Sequence, residues 1–264
     1  MKLKSKLLLA LLATSSAVFA QTAPAAPEVT YNVGVVSQYR YRGLAQTKGQ
    51  PALQGGVDYA NANGYYAGAW ASQIQWIKDS SKTTPAVNNY SGNTELDLYG
   101  GYKFESSGVA YDVGFLRYQY IGNSLGNTAA TGNIQYKNAN TNEVYAAATV
   151  GAYTFKWSYA LSELFGTPNS KNSDYYDLTA NFDMGNGITL TPHIGRQVVQ
   201  GPGTGSGQLS YTDGSLTVAK DLGNGLSATA AAIVTNAKSG AFNSNSTTYA
   251  TGKSAVVLGL KYGF

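Results

Sequence analysis

Four charged residues are spaced so that a β-sheet would bring them together: Glu95, Asp97, Arg117 and Glu143. A short turn at 105–108 sets Arg117 level with Glu95 and Asp97, and the return across 121–140 brings Glu143 to its other side. One cation among three carboxylates on neighbouring strands is a cross-strand network. Inside a water-filled lumen it is a cation-favouring constriction, and inside a filled barrel it is paired packing. Arg40 and Arg42 share one face two residues apart. They would draw anionic solutes to one mouth, or pair with loop acids and lipid phosphates. Lys103, Lys156 and Asp177 fall on the same inward phase. Arg40, Arg42, Lys103, Arg117, Lys156 and Lys261 stand against Asp58, Glu95, Asp97, Asp112, Glu143, Asp177 and Asp183, a balance that sets no strong ion preference.

The residue types for catalysis are sparse. His193, the single histidine, lies inward with Thr189 and Thr191, and no outward Ser-His-acid arrangement accompanies it. It is therefore expected to line the interior. No cysteine is present, and no His/Asp/Glu set has metal-ligand spacing. Gly201 to Gly207 is glycine-rich but lacks the Lys-Ser/Thr pair and the following helix of a phosphate loop. The expectation is a non-enzyme with no cofactor and no metal.

The elements that hold these residues are strands. The last residues place Val256, Leu258, Leu260, Tyr262 and Phe264 on one face, alternating with Val257, Gly259, Lys261 and Gly263. A period of two is a strand with one apolar side. Twelve such segments follow from residue 28, over 28–42, 51–60, 65–76, 93–104, 109–120, 141–151, 152–161, 174–184, 188–199, 209–220, 226–237 and 253–264. A tilted strand needs about 9–11 residues to cross a bilayer. Tight Asn/Gly turns alternate with longer Asn-, Ser-, Thr- and Gly-rich loops, the pattern of periplasmic turns and extracellular loops. The fifth segment slips phase after Phe115, which predicts a β-bulge near Leu116. Outward aromatics are expected in two girdles: Tyr39, Tyr41, Trp76, Tyr118, Tyr120, Tyr159 and Tyr176 outside, and Tyr31, Tyr66, Phe104, Tyr111, Phe182, Tyr262 and Phe264 on the periplasmic side.

The class is thus all-β: a transmembrane antiparallel up-and-down β-barrel of about twelve strands over 28–264. Lys2, Lys4 and Lys6, the apolar run Leu7 to Leu12, and Val18-Phe19-Ala20 predict a cleaved signal peptide over 1–20, followed by a disordered lead over 21–27. Without the signal, 15 basic face 14 acidic residues, so the basic isoelectric point is no nucleic-acid signal. Only 12% of residues are charged, while Tyr numbers 21 and Gly 31. Soluble domains average about 25% charged residues, so this composition points to membrane strands.

Several stretches together resemble a known family. They are Ser37 to Gly43, Gly64 to Ser72, Thr94 to Tyr102, Tyr111 to Phe115 and Glu143 to Tyr145. They are similar to the TorF family of proposed porins, also called the Gcw_chp family of proteobacterial outer-membrane proteins. The resemblance implies a porin and names no solute. The expected role is passive diffusion of small hydrophilic solutes across the bacterial outer membrane; the rival is a non-conducting surface barrel whose loops bind a partner. The expected partners are outer-membrane lipid and lipopolysaccharide, small solutes, and the barrel-assembly machinery, which would read Tyr262 and Phe264 as an assembly signal.

Overall fold

The computed structural model describes residues 27–80, 91–126, 137–201, 209–237 and 251–264. The expected signal peptide and nearly all of the lead lie outside the described residues, as do most of the Gly201 to Gly207 stretch and part of the 121–140 loop.

The barrel strands are β1 (Glu28–Val36), β2 (Ala52–Ala60), β3 (Tyr65–Gln73), β4 (Thr94–Ser106), β5 (Val109–Ile121) and β6 (Thr141–Val150). They continue as β7 (Tyr153–Ala160), β8 (Asp174–Ala180, resumed at Phe182–Gly185), β9 (Ile188–Val198), β10 (Tyr211–Gly223), β11 (Leu226–Thr235) and β12 (Ala255–Gly263). Each pairs antiparallel with the next, and β12 returns to β1 through Asn32↔Gly263 to Val36↔Gly259. Counting the interrupted β8 once, twelve strands close into a barrel without a free edge.

Local chemistry explains the hairpins. Ser107-Gly108, Asn186-Gly187 and Asn224-Gly225 each hold two successive residues at positive φ. That is what a two-residue turn needs to follow the right-handed twist of its strands.

Register and exposure assign the faces. Val33, Val35, Leu98, Val113, Phe115, Phe155, Leu178, Leu216, Leu258 and Leu260 are exposed apolar side chains on the outer face. A belt of this kind around a closed sheet requires a hydrocarbon solvent, because water would oppose so much contiguous apolar surface. Tyr65, Tyr102, Phe104, Tyr111, Tyr262, Phe264 and Tyr31 crowd the short-turn end, with stacked rings 5.0 Å apart at Phe104–Tyr111. This is one of the two expected girdles, save that Tyr66 points inward, across from Gly101.

The other girdle is different. Tyr39, Tyr41, Tyr118 and Tyr120 are buried inside the barrel, and Trp76 packs beside them at 5.3 Å from Tyr120. The first strand ends at Val36, not 42. Nor is there a bulge near Leu116: β4 and β5 pair without a break from Thr94↔Ile121 to Ser106↔Val109. The apolar phase inverts after Phe115 because the interior beyond that point is packed and apolar while the outer rim is polar. Hydrophobicity changes face; the backbone does not slip.

The seam between β1 and β12 continues past the last strand residue. Tyr31 N–H donates to the Phe264 carbonyl at 2.8 Å, and Phe264 N–H donates to Tyr31 at 3.0 Å. The Phe264 ring stacks on Tyr31 at 5.7 Å and on Tyr262 at 5.6 Å. Replacing Phe264 with Ser removes both stacks at the point of closure. The expected result is less compact, heat-modifiable barrel recovered from the membrane, and an unchanged yield would contradict it.

Candidate functional site

The segment 37–51, between β1 and β2, turns into the barrel. Its core is a two-residue ladder, Arg40↔Ala45 and Tyr41↔Leu44, with Arg42 (φ 44) and Gly43 (φ 78) at the tip. A non-glycine residue held at positive φ needs support from its surroundings. Here the support is local and distant. Gln46 N–H donates to Tyr39 at 2.9 Å, and the tip is pinned to the far wall.

That wall is reached on many strands. The Tyr39 hydroxyl donates to Glu95 on β4 at 2.5 Å, and the Tyr41 and Tyr118 hydroxyls meet at 2.5 Å. Arg42 forms a two-pronged pair with Glu143 on β6, at 3.0 and 2.7 Å, and also donates to Gln197 on β9 at 2.8 Å. Both side chains of the Arg42–Glu143 pair are at most 3% exposed. The guanidinium carbon also lies 4.2 Å from the Tyr175 ring centre on β8, a cation–π contact. A Cβ on Gly43 would lie 2.6 Å from the Asp213 side chain on β10, so only glycine lets the tip touch that wall. Arg40 donates to the Thr251 and Lys253 carbonyls at 3.1 and 2.6 Å. The hairpin therefore crosses the lumen from β1 to β6, β8 and β9.

Around it is an apolar fill: Val36, Tyr39, Tyr41, Ile74, Ile77 of the short helix α1 (Trp76–Ser80), Tyr118, Tyr120 and Leu125, with Phe165 and Leu116 against them. Burial, and then the nearby Glu95 and Asp97 charges, push the Tyr39 hydroxyl pKa up. Tyr39 thus stays a hydrogen-bond donor at neutral pH.

A polar row runs along the wall from the short-turn end of β4 to the hairpin tip at β10. Adjacent inward positions run Lys103, Asp112, Ala147, Lys156, Asp177, Gly195 and Asp213 from β4 to β10. Tyrosine rings lie flat on glycines of the neighbouring strand. A Cβ at Gly114 would sit 2.5 Å from the Tyr145 hydroxyl, and one at Gly68 2.5 Å from the Tyr99 ring. The hydroxyls engage acids: Tyr66 donates to Asp112 at 2.6 Å, and Tyr99 donates to Asp58. Lys156 Nζ is 4.2 Å from the Tyr145 ring centre and Lys103 Nζ is 5.0 Å from that of Tyr66. His193 Nε2 is 2.9 Å from Asp177 and its Nδ1 is 3.8 Å from Asp213.

Glu95, Asp97, Lys103, Glu143, Lys156, Asp177 and His193 thus face the lumen. Arg40 and Arg42 are also inside, as parts of the hairpin rather than of strand one. Arg117 is not. Its neighbours across the sheet are Leu98 and Asn142 on the outer face, and it donates to Gln119 at 2.9 Å and Asn142 at 3.0 Å. The cation beside Glu143 is Arg42. Asp97 lies level with Trp70 and Tyr118, and one of its carboxylate oxygens has no hydrogen-bond partner among the described residues. The pattern did not show Tyr39, Tyr41, Tyr118, Tyr175, Gln197 and Asp213 as site residues. The signal that could have found the hairpin is Arg42-Gly43, a turn-compatible pair at the end of what reads as one strand over 28–42.

Comparison with known proteins adds the following. A family model described as a bacterial protein of unknown function (Gcw_chp) matches residues 20–264. No curated protein matches the chain. Among solved structures, a KdgM porin in complex with disordered oligogalacturonate is 8% identical, with a TM-score of 0.49, 89% of this chain and 98% of that chain covered. A NanC porin is 9% identical, TM-score 0.48, covering 89% and 99%. An outer membrane channel from Pseudomonas putida F1 is 11% identical, TM-score 0.46, covering 91% and 95%.

Proposed function

This chain belongs to the Gcw_chp family, and we propose that it is an outer-membrane channel for small hydrophilic solutes, constricted by the inward hairpin of segment 37–51. The observation that carries the reading is the hairpin itself, pinned across the lumen by Arg42 and Glu143. The apolar outer belt supports placement in a bilayer. The charged, tyrosine-paved wall from Lys103 to Asp213 supports a polar interior beside the hairpin, with Asp112, Asp177 and Asp213 almost fully buried in it. Short turns on one end and long loops on the other support a periplasmic and an extracellular mouth, respectively. A twelve-stranded barrel is intermediate in width between filled and open barrels, so a segment crossing it governs what passes.

Acids and bases both face the interior, with Arg42, Lys103, Lys156 and Lys261 against Asp58, Asp112, Glu143, Asp177 and Asp213. The selectivity expected from this is weak. The test is single-channel recording of the purified barrel in planar bilayers with KCl. Small discrete steps, with a reversal potential near zero across a salt gradient, are the expected result. Silence from wild type and from a hairpin-released variant alike would overturn the channel reading. That outcome would favour a non-conducting barrel whose long loops bind a partner.

A further inference from the structure

We infer that the outer face of β5 to β9, at the loop end of the barrel, is a docking surface for the phosphorylated headgroup of an outer-leaflet glycolipid, held by Arg117 and Arg196. The inference rests on the outer-membrane placement proposed above and not on conduction.

Both arginines are on the lipid-facing phase of the sheet. Arg117 pairs in register with Leu98 and Asn142, and Arg196 with Tyr176 and Thr212. Both lie in the loop-end half of the barrel, Arg117 four residues from the end of β5 and Arg196 two from the end of β9. Asn142 is the second residue of β6, and Tyr176 the third of β8. Neither arginine has a carboxylate within 4.0 Å among the described residues. Their partners are instead neutral: Gln119 and Asn142 for Arg117, and the Thr212 hydroxyl, at 3.2 Å, for Arg196. Gln119 is two residues nearer the rim than Arg117, so the guanidinium leans out of the hydrocarbon toward the headgroups. The amides orient the fork and leave N–H groups and a full positive charge for an anion. A planar guanidinium suits a phosphate.

The rest of the patch agrees. Between the two arginines lie the outward rings of Trp157, Tyr159 and Tyr176, which fit the headgroup boundary. Among the described residues the acids at this end are engaged: Asp174 accepts a hydrogen bond from the Trp157 indole at 2.8 Å, and Glu163, between β7 and β8, accepts from the Ser170 N–H at 2.6 Å. Among the described strand residues the opposite side of the barrel has no such patch. There the outward positions near the loop end are Val35, Leu53, Val234 and Val256, 44–65% exposed. Four strand spacings separate β5 from β9, about 19 Å, so each arginine meets its own phosphate.

The test uses the full barrel in neutral detergent, following the temperature at which its compact, heat-modifiable form is lost. Added diphosphoryl lipid A is expected to raise that temperature for wild type. Arg117→Gln/Arg196→Gln should lose most of the rise, and Arg117→Lys/Arg196→Lys should keep a substantial part of it. Dephosphorylated lipid A should have little effect on any of them. An equal rise in the double glutamine variant, or from the dephosphorylated lipid, would overturn the inference. Inorganic phosphate reproducing the rise would make this a free-anion site and would also overturn it. The unliganded glutamine variant should match wild type in thermal midpoint and single-channel conductance. Its conductance separates failure here from failure of the channel reading.

Discussion

Arg42→Ala should both weaken the barrel and widen the conducting path. The Arg42–Glu143 pair is almost fully buried, so removing the cation strands Glu143 with only the Tyr118 hydroxyl, 3.2 Å away. Breaking one half of a buried pair costs about 3–5 kcal/mol, because the remaining charge is desolvated and unpaired. Arg42 also carries the contacts to Gln197 and the Tyr175 ring. With them gone, the hairpin is held mainly by Tyr39, Tyr41 and Arg40. The expected result is a lower thermal midpoint together with larger and noisier single-channel steps. Arg42→Met/Glu143→Leu should recover much of the stability, since an apolar pair leaves no stranded charge, yet it should not restore the wild-type conductance. Unaltered conductance and stability in Arg42→Ala would show that the pair neither anchors the hairpin nor narrows the path.

The second large effect concerns the two faces of the wall. Phe115 is outward on β5, 42% exposed, and lies between Val113 and Arg117 on that face. Arg117 reaches the polar rim, but an arginine at 115 starts about 5 Å deeper along the tilted strand. Phe115→Arg should cost about 1–3 kcal/mol, between the small cost at the interface and that of the midplane, read as a lower urea midpoint for refolding into lipid vesicles. Ser215→Arg is the matched control. Ser215 faces the lumen opposite His193, close to Asp177 and Asp213, so a new cation there has carboxylates near it. It should leave the urea midpoint nearly unchanged and shift selectivity toward anions. Equal losses from both substitutions would mean that the faces of β5 or β10 are assigned wrongly.

Much of this was legible in the chain because membrane strands obey a local rule. A side chain points to lipid or lumen by parity, and in β4 Leu96, Leu98, Tyr102 and Phe104 alternate with the inward Glu95, Asp97, Tyr99 and Lys103. The strand count, the tight turns and the inward His193, Lys156 and Asp177 follow from the same parity and from the residues that tolerate positive φ. What parity could not reveal is where the interior stops being wet. Tyr39 and Tyr41 extend the alternation of β1 in sequence, yet the chain leaves the sheet at Val36 and folds across the lumen. The tyrosines that read as an outer girdle are therefore its apolar filling. Once that filling exists, Tyr118 and Tyr120 face inward to pack on it, and Arg117 and Gln119 face outward at the rim. Their pattern then mimics a bulge that the backbone does not contain. The cation beside Glu143 was foreseen as a type but misidentified as Arg117 on a neighbouring strand. Its true source, Arg42, is 101 residues away in the chain. Contacts made across an enclosed space depend on how the barrel closes, and no window of sequence around either residue contains that information.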